Sequence, residues 1–599
     1  MEQIRAHYAP FLRSLPKPLT HRRPVDLSGP WRWRFEVESF PQGAPRPPAP
    51  PWHRVDLDEA DWQPTTVPEW RYDRPEPPDT TPAPRPPHFS RIAWYRRTFD
   101  CNVPAPGQRT FLHFLGVDWE AEVWLNGHFL GSHKCYWEPF RLEATGRLQP
   151  KGNILAVRVL DGELLGEPTA GWGVLPMALA GEPRHERDRA RSVLGQRRPF
   201  AFMSSCLGSG FGIHREVLLE TTGEVCVDRV FARGDAAKGL LTVRAEIDSA
   251  VEGQFTFDVR VLPENFEGKA YRARRSVAVC KGPQTVTLAV PTSRPRLWEP
   301  DRPCLYRCRV TVLAGRRLVD AQDAVFGYRT FRLLSADEGR EGLSAGTFLL
   351  NGEPVLLRGM EVSPALNALW YWRDERLLDA VLMIRAANCN AVRSGEHVQF
   401  AEMRELLARM GLLCESDAPG VGPGIVPMET LAESCCILAR ECYNNPAVVL
   451  ISGSLETTFD PRQMLDAVRR VDPDRILKPV SGNMTDWGSA YELPPGYPTL
   501  KDEDWDHVLD DFHCYYGWYA RSRGELWKLV RRYPPGRMVT IGEFGAEALD
   551  AYETMLRYPP LLQPPAITAP GPWGNAQVQK RDPKGKVGLR GRYPATLGE

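Results

Sequence analysis

The chain has no excess of charge, no long apolar run and no ordered pattern of cysteines. Lysine plus arginine and aspartate plus glutamate each total 75 in 599 residues, a formal net charge of zero. A neutral chain has no electrostatic footprint for a polyanion, which excludes a general nucleic-acid binder. No apolar stretch approaches the roughly 20 residues needed to cross a bilayer, so no membrane partner is expected. The start, MEQIRAHYAPFLRSLPKPLTHRRP, lacks the apolar centre of a secretory signal. The 13 cysteines contain no paired CxxC or Cys/His zinc spacing. Cys304 with Cys308, and Cys435 beside Cys436, come nearest. Buried free thiols and the missing signal point to a reducing, cytoplasmic setting. No glycine-rich phosphate loop follows a strand, so no nucleotide cofactor is expected.

What is present is a large apolar and aromatic complement, 42% and 10% of residues, which rules out disorder. The length suits roughly three or four domains. Two stretches read as β. In the first, Tyr95–Phe99, Thr110–Phe114, Ala121–Leu125 and Ile154–Val159 are short apolar or alternating runs. Asn126-Gly127, just after Ala121–Leu125, marks a tight turn between strands. This pattern predicts a jelly-roll β-sandwich over 1–222, with the proline-rich segment Phe40–Pro87 as a surface excursion. In the second, Leu241–Ile247 and Phe255–Val261 alternate with period two, which predicts an immunoglobulin-like sandwich over 223–333.

From 334 to 599 the period changes. Leu377, Val381 and Ile384 share a helical face, as do Phe400, Met403, Leu407 and Met410, with Gly411 placed as a C-cap. Continuous apolar runs follow such segments, the signature of buried parallel strands in a (β/α)8-type TIM barrel. The strand candidates are Val355–Arg358, Asn390–Arg393, Leu412–Cys414, Val448–Ile451, Lys478–Val480, Leu509–His513 and Met538–Ile541, seven rather than eight. In such a barrel the chemistry sits past the carboxyl ends of the strands. Glu456 follows Val448-Val-Leu-Ile-Ser-Gly-Ser-Leu455, and Glu543 follows Met538-Val-Thr-Ile-Gly542. Two opposed carboxyl groups are what glycosidic cleavage requires, one to donate a proton and one to face the anomeric carbon. The competing reading is two solvated loop acids.

At these residues the chain resembles glycoside hydrolase family 2, the β-galactosidases, β-glucuronidases and β-mannosidases, from about Val25 to about Pro559. The resemblance is carried by Trp94-Tyr-Arg-Arg-Thr-Phe99, Gly116-Val-Asp-Trp-Glu-Ala-Glu-Val-Trp-Leu-Asn-Gly127, Gly131-Ser-His-Lys-Cys-Tyr-Trp-Glu-Pro-Phe140 and Gly212-Ile-His-Arg215. Further along it is carried by Leu297-Trp-Glu-Pro300, Val325-Phe-Gly-Tyr-Arg329, Phe348-Leu-Leu-Asn-Gly352 and Leu357-Arg-Gly359. It implies Glu456 as acid/base and Glu543, in Ile541-Gly-Glu-Phe-Gly545, as nucleophile of a retaining β-glycosidase, most like a β-galactosidase. Retention implies carboxyls about 5–5.5 Å apart. It also implies that Arg393 orients the nucleophile. His397 and Asp417 could bind sugar hydroxyls or serve only structure. His513 and Tyr515, with Tyr516 as the other register, end the sixth strand, and a phenol there can hydrogen-bond the nucleophile.

The partner implied is a carbohydrate, and the β domains are compatible with a homo-oligomer. Gly420-Val-Gly-Pro-Gly424, after Asp417, offers no ligand, so no metal is expected. Two positions depart from the family. Leu455 replaces the asparagine that binds the sugar 2-hydroxyl, and Pro559–Glu599 holds no apolar run fit for an eighth strand. These departures keep a second reading open: a catalytically impaired carbohydrate-binding or scaffold protein.

Overall fold

The computed structural model describes residues 2–7, 22, 24–41, 47–69, 89–160, 212–335, 337–362, 376–395, 398–399, 401–418, 428–453, 461–479, 481, 484–485, 509–514 and 539–544. In the N-terminal part, two antiparallel sheets share one core. The six-stranded sheet runs in the order Gln63–Val67, Gly29–Pro41, Phe89–Phe99, Asn153–Leu160, Glu120–Leu125, His128–Lys134. The four-stranded sheet is Val25–Asp26, Val217–Thr222, Arg109–Phe114, Phe140–Glu143. Trp31, Tyr95, Val123 and Val157 of the first sheet meet Phe114, Phe140 and Leu219 of the second. Asn126 and Gly127 turn the chain with φ of 51° and 79°, the left-handed geometry that an Asn-Gly hairpin requires.

The proline-rich segment departs from expectation. Its described part, 47–69, adds the edge strand Gln63–Val67. It also buries Trp62 on the outer face of the sheet, beside Trp94 and Trp124. Large indoles on an outward strand face expose too much apolar surface to be left in water, so the excursion becomes their cover.

The middle part is a second sandwich of three strands (Val225–Asp235, Leu240–Ser249, Gly282–Pro291) against four (Tyr271–Val279, Gly253–Pro263, Tyr306–Ala314, Arg317–Phe326). The alternation seen in the sequence is obeyed: Leu241, Val243, Ala245 and Ile247 point inward.

The remaining described residues form a parallel α/β unit. Five parallel strands run in chain order: Gly359–Glu361, Ala391–Arg393, Leu413–Asp417, Val448–Ser452 and Ile476–Lys478. Met484–Thr485, Asp510–Cys514 and Val539–Phe544 form a second parallel group. The Leu509 amide donates to the Leu477 carbonyl at 3.0 Å, so the second group continues the first. Val448, Val449, Leu450 and Ile451 are all buried, as a strand covered on both faces must be. Helices Arg376–Ala386 and Ala401–Met410 carry Val381, Ile384, Met403, Leu407 and Met410 inward. Gly411, at φ 69°, ends the second helix as its sequence position predicts.

Several strand boundaries move. Val355–Arg358 is not the first parallel strand. Glu353–Pro354 pairs back on Leu349 and Leu350, and the Val355 amide donates to the Phe348 carbonyl. Parallel pairing begins only at Gly359, opposite Ala391. Lys478 ends its strand instead of starting it. The last described strand reaches Phe544, so Glu543 belongs to the strand rather than to the loop beyond it. The segment Pro559–Glu599, read from sequence as holding no eighth strand, lies outside the described residues.

The motifs near 300 and 329 dock the middle sandwich onto the α/β unit. Trp298, fully buried, donates its indole N–H to the Ala408 carbonyl at 2.9 Å. Arg329 donates to the carbonyls of Pro446 and Val448 at 3.0 and 2.9 Å, fixing the start of the Val448–Ser452 strand. Gly327 lies against Pro446, and a Cβ there would come within 2.8 Å of its ring. Nearby, Asp472 is held by Arg233 from the sandwich and by Arg475 at 2.9 Å. Burial alone would raise the Asp472 pKa, but Arg475 and Arg233 outweigh it and hold the carboxyl at about 2.

A carboxyl with a folded-state pKa below its unfolded value adds stability above the unfolded pKa and loses it as pH falls through the folded one. Urea unfolding should therefore show the wild type losing stability between about pH 4 and pH 2 more steeply than Asp472→Asn. At pH 7 the Asp472→Asn variant should be less stable by about 3–5 kcal/mol, because the buried Arg475 guanidinium loses its counter-charge while Arg233 keeps Asp474.

Candidate functional site at the strand ends

Each of the five leading parallel strands ends on a polar residue: Glu361, Arg393, Asp417, Ser452 and Lys478. A parallel sheet brings the carboxyl ends of its strands to one edge, so these side chains share a layer. Arg393 is buried and forks between two acids, 3.0 Å from Glu361 and 2.8 Å from Asp417. Its Nε lies 3.6 Å from a Glu415 oxygen. Glu415 in turn takes the Lys478 ammonium at 2.9 Å, and Lys478 sits 3.2 Å from Asp511 of the next strand. Asp511 also accepts from Ser481 at 2.9 Å and from Thr540 at 2.6 Å. Charges thus alternate across the strand ends: Glu361, Arg393, then Asp417 and Glu415, then Lys478, then Asp511.

Burial favours the neutral amine of Lys478, but Asp511 and Glu415 outweigh it, so its pKa is raised and the ammonium stays charged. The planar guanidinium of Arg393 suits its bridging position, since a fork can serve two carboxylates in fixed directions while an ammonium cannot.

Glycines give these groups room. A Cβ on Gly395 would fall 2.0 Å from a Glu361 oxygen, and one on Gly542 would fall 2.1 Å from Asp511 Oδ2. On Gly453 it would meet Met464 Sδ at 2.5 Å and the Pro479 carbonyl at 2.8 Å. Gly453 and Gly542, which precede Glu456 and Glu543 in sequence, therefore leave no room for a side chain.

Of the residues expected from sequence, Arg393 and Asp417 are brought into direct contact. His513 and Glu543 lie on adjoining strands as register partners, at the same edge as Asp511. Glu456, His397, Tyr515 and the alternative Tyr516 lie outside the described residues. Glu361, Glu415, Lys478 and Asp511 were not anticipated. The signal was available for two of them: Lys478 and Asp511 are charges inside runs read as buried strands, and such charges need partners.

The edge is braced from the N-terminal sandwich. The turn at Tyr136 and Trp137 enters the α/β core together with Trp119. The Tyr136 hydroxyl lies 3.4 Å from the Val398 amide, and its carbonyl meets the His214 ring at 2.9 Å. Gly116 closes the same joint, since a Cβ there would fall 2.4 Å from His214 Cε1.

The family description "Glycosyl hydrolases family 2" matches residues 226–329, and "Glycosyl hydrolase 2 galactose-binding domain-like" matches 89–165. Among curated relatives, a putative beta-glucuronidase of Formosa agariphila is 26% identical over 418 residues, covering 67% of this chain and 35% of its own length. A beta-galactosidase of Thermoanaerobacter pseudethanolicus is 24% identical, covering 55% of this chain and 39% of its own. A beta-glucuronidase of Paenibacillus borealis is 26% identical over 591 residues, covering 90% of this chain and 85% of its own. The chain thus spans little more than a third of the length of the first two. Among solved structures, a putative beta-galactosidase from Bacteroides fragilis superposes with a TM-score of 0.62 at 18% identity, covering 88% of this chain and 72% of its own. Bifidobacterium dentium beta-glucuronidase, complexed with coumarin-3-O-glucuronide, gives 0.59 at 21%, covering 90% and 86%. At these identities the structural likeness establishes the fold.

Two substitutions probe the edge. Lys478→Met should remove the buried cation that bridges Glu415 and Asp511 and cost about 3–5 kcal/mol in urea unfolding. Gly542→Ala should push the Asp511 carboxylate off Thr540 and Ser481, lowering the thermal midpoint measurably, by several degrees.

Proposed function

Taking as premise that this chain belongs to glycoside hydrolase family 2, we propose that it hydrolyses terminal β-linked sugars by double displacement. The domains run 1–222, 223–333 and 334–599, the last a TIM-type barrel. Glu543 is the nucleophile and Glu456 the acid/base. In the first half-reaction the Glu543 carboxylate bonds to the anomeric carbon as Glu456 gives its proton to the departing oxygen. In the second, Glu456 takes a proton from water, the water oxygen bonds to the same carbon, and the Glu543 ester breaks. The negative charge of Glu543 keeps Glu456 protonated until the ester neutralises it, so the acid becomes a base when water must be activated.

The observation that carries this reading is the shared edge: Glu543 pairs in register with His513, on the strand whose Asp511 closes the ion chain begun by Glu361 and Arg393. That chain holds the neighbouring side chains to fixed directions. Asp417 and His513 are assigned to sugar hydroxyls, with His397 and Tyr515 beside them. The substrate is a β-galactoside first, with β-glucuronides and β-mannosides as nearest alternatives. Leu455 favours a second reading, binding without turnover, because an aliphatic side chain cannot bond the sugar 2-hydroxyl as the transition state forms.

Aryl β-galactoside, β-glucuronide and β-mannoside separate these readings. Turnover of one of them should fall by at least about a thousand-fold in Glu543→Gln. Glu456→Gln should lose about a hundred- to ten-thousand-fold, most for poor leaving groups. Sugar binding by calorimetry with no turnover in wild type would establish the second reading, and turnover unchanged by Glu543→Gln would defeat the first.

A further inference from the structure

The segment Gly131-Ser-His-Lys-Cys-Tyr-Trp-Glu-Pro-Phe140 gathers three side chains that the glycosidase chemistry leaves unused. His133 lies near the end of the His128–Lys134 strand, and Cys135 and Glu138 follow in the turn that leads to Phe140–Glu143. One ligand atom from each, a ring nitrogen, a sulfur and a carboxylate oxygen, all lie within 4.8 Å of one another. His133 Nε2 is 3.9 Å from Glu138 Oε2. Zinc bonds of about 2.0–2.3 Å set tetrahedral ligand atoms roughly 3.3–3.8 Å apart. Side-chain adjustments of about an ångström would close all three on one ion.

His133 Nε2 is buried and has no hydrogen-bond partner. An imidazole nitrogen placed so can present its lone pair to a metal ion. The Phe140 ring stacks on the imidazole at 4.3 Å. Cys135 is buried beside it.

We propose that His133, Cys135 and Glu138 bind a zinc ion, with water in the fourth position. A ligand set of one sulfur, one nitrogen and one oxygen is suited to zinc and unsuited to magnesium or calcium, which take oxygen alone. As the sulfur–zinc bond forms, the Cys135 proton passes to solvent and the metal keeps its oxidation state. The ion is structural. It pins the turn whose Tyr136 and Trp137 enter the α/β core, and Tyr136 reaches Val398, five residues beyond Arg393. The expectation of no metal rested on the loop after Asp417 and on the lack of a paired Cys/His zinc spacing, and it passed over this three-residue set.

The test reads metal binding without reference to activity. The purified full chain is stripped with a chelator, dialysed, and titrated with cobalt(II) and then zinc. Wild type should take up one cobalt per chain with a sulfur-to-cobalt charge-transfer absorption that zinc abolishes. Cys135→Ser should remove that absorption, whereas Cys436→Ser, a half-buried control thiol, should keep it. His133→Gln and Glu138→Gln should weaken zinc at least about ten-fold. Circular dichroism of the metal-free variants checks folding, and Glu138→Gln carries the comparison if Cys135→Ser does not fold. Absence of the absorption in wild type overturns the proposal, as does its persistence at unchanged affinity in the variants.

Discussion

The α/β part of this protein depends on a single electrostatic constraint: charges buried at the ends of parallel strands must neutralise one another in sequence. Arg393 cannot lose its proton, so its burial between strands is tolerated only because Glu361 and Asp417 face it at hydrogen-bonding distance. Lys478 is bound by the same rule to Glu415 and Asp511. Because each cation bridges acids on different strands, the lateral order of the strand ends is tied to side-chain geometry as well as to backbone pairing. Any group carried at the same edge inherits those directions. This is the property a pair of reacting carboxyls needs, since small misplacements are costly in rate.

The α/β unit is held from outside by both β units, the middle one at the starting end of the Val448–Ser452 strand. Arg329 takes the carbonyls of Pro446 and Val448, and Trp298 takes that of Ala408, so the sandwich grips the backbone of the α/β unit. Backbone carbonyls at strand and helix ends have no partner within their own element, and a neighbouring unit that supplies donors removes that penalty. From the other side, the Tyr136–Trp137 turn enters the core beside Val398. The N-terminal sandwich is therefore part of the edge's support, while the middle one fixes the opposite ends of the strands.

Much of this was legible because it is local. Period-two alternation placed the strands of the middle sandwich, and the helical stripes ending at Gly411 placed a helix and its stop. The Asn126-Gly127 pair marked its hairpin through a backbone preference that belongs to those two residues alone. The candidate site was legible in part. Arg393 and Asp417 stood out at strand ends and do meet. Strand limits were less legible, as at Val355–Arg358, because an apolar run fits either an antiparallel hairpin or a parallel strand until its partner is known.

Sequence by itself determined the kinds of element, their order, and which residues could carry charge or chemistry, since each follows from spacing and side-chain type along a few turns of chain. Only the tertiary structure decided who neutralises whom. The pairing of Lys478 with Glu415, 63 residues away, and of Trp62 with the outer face of a sheet, depends on strands from distant segments lying side by side. Burial then converts that adjacency into energy. An exposed ion pair contributes little, and the same pair withdrawn from water becomes a requirement.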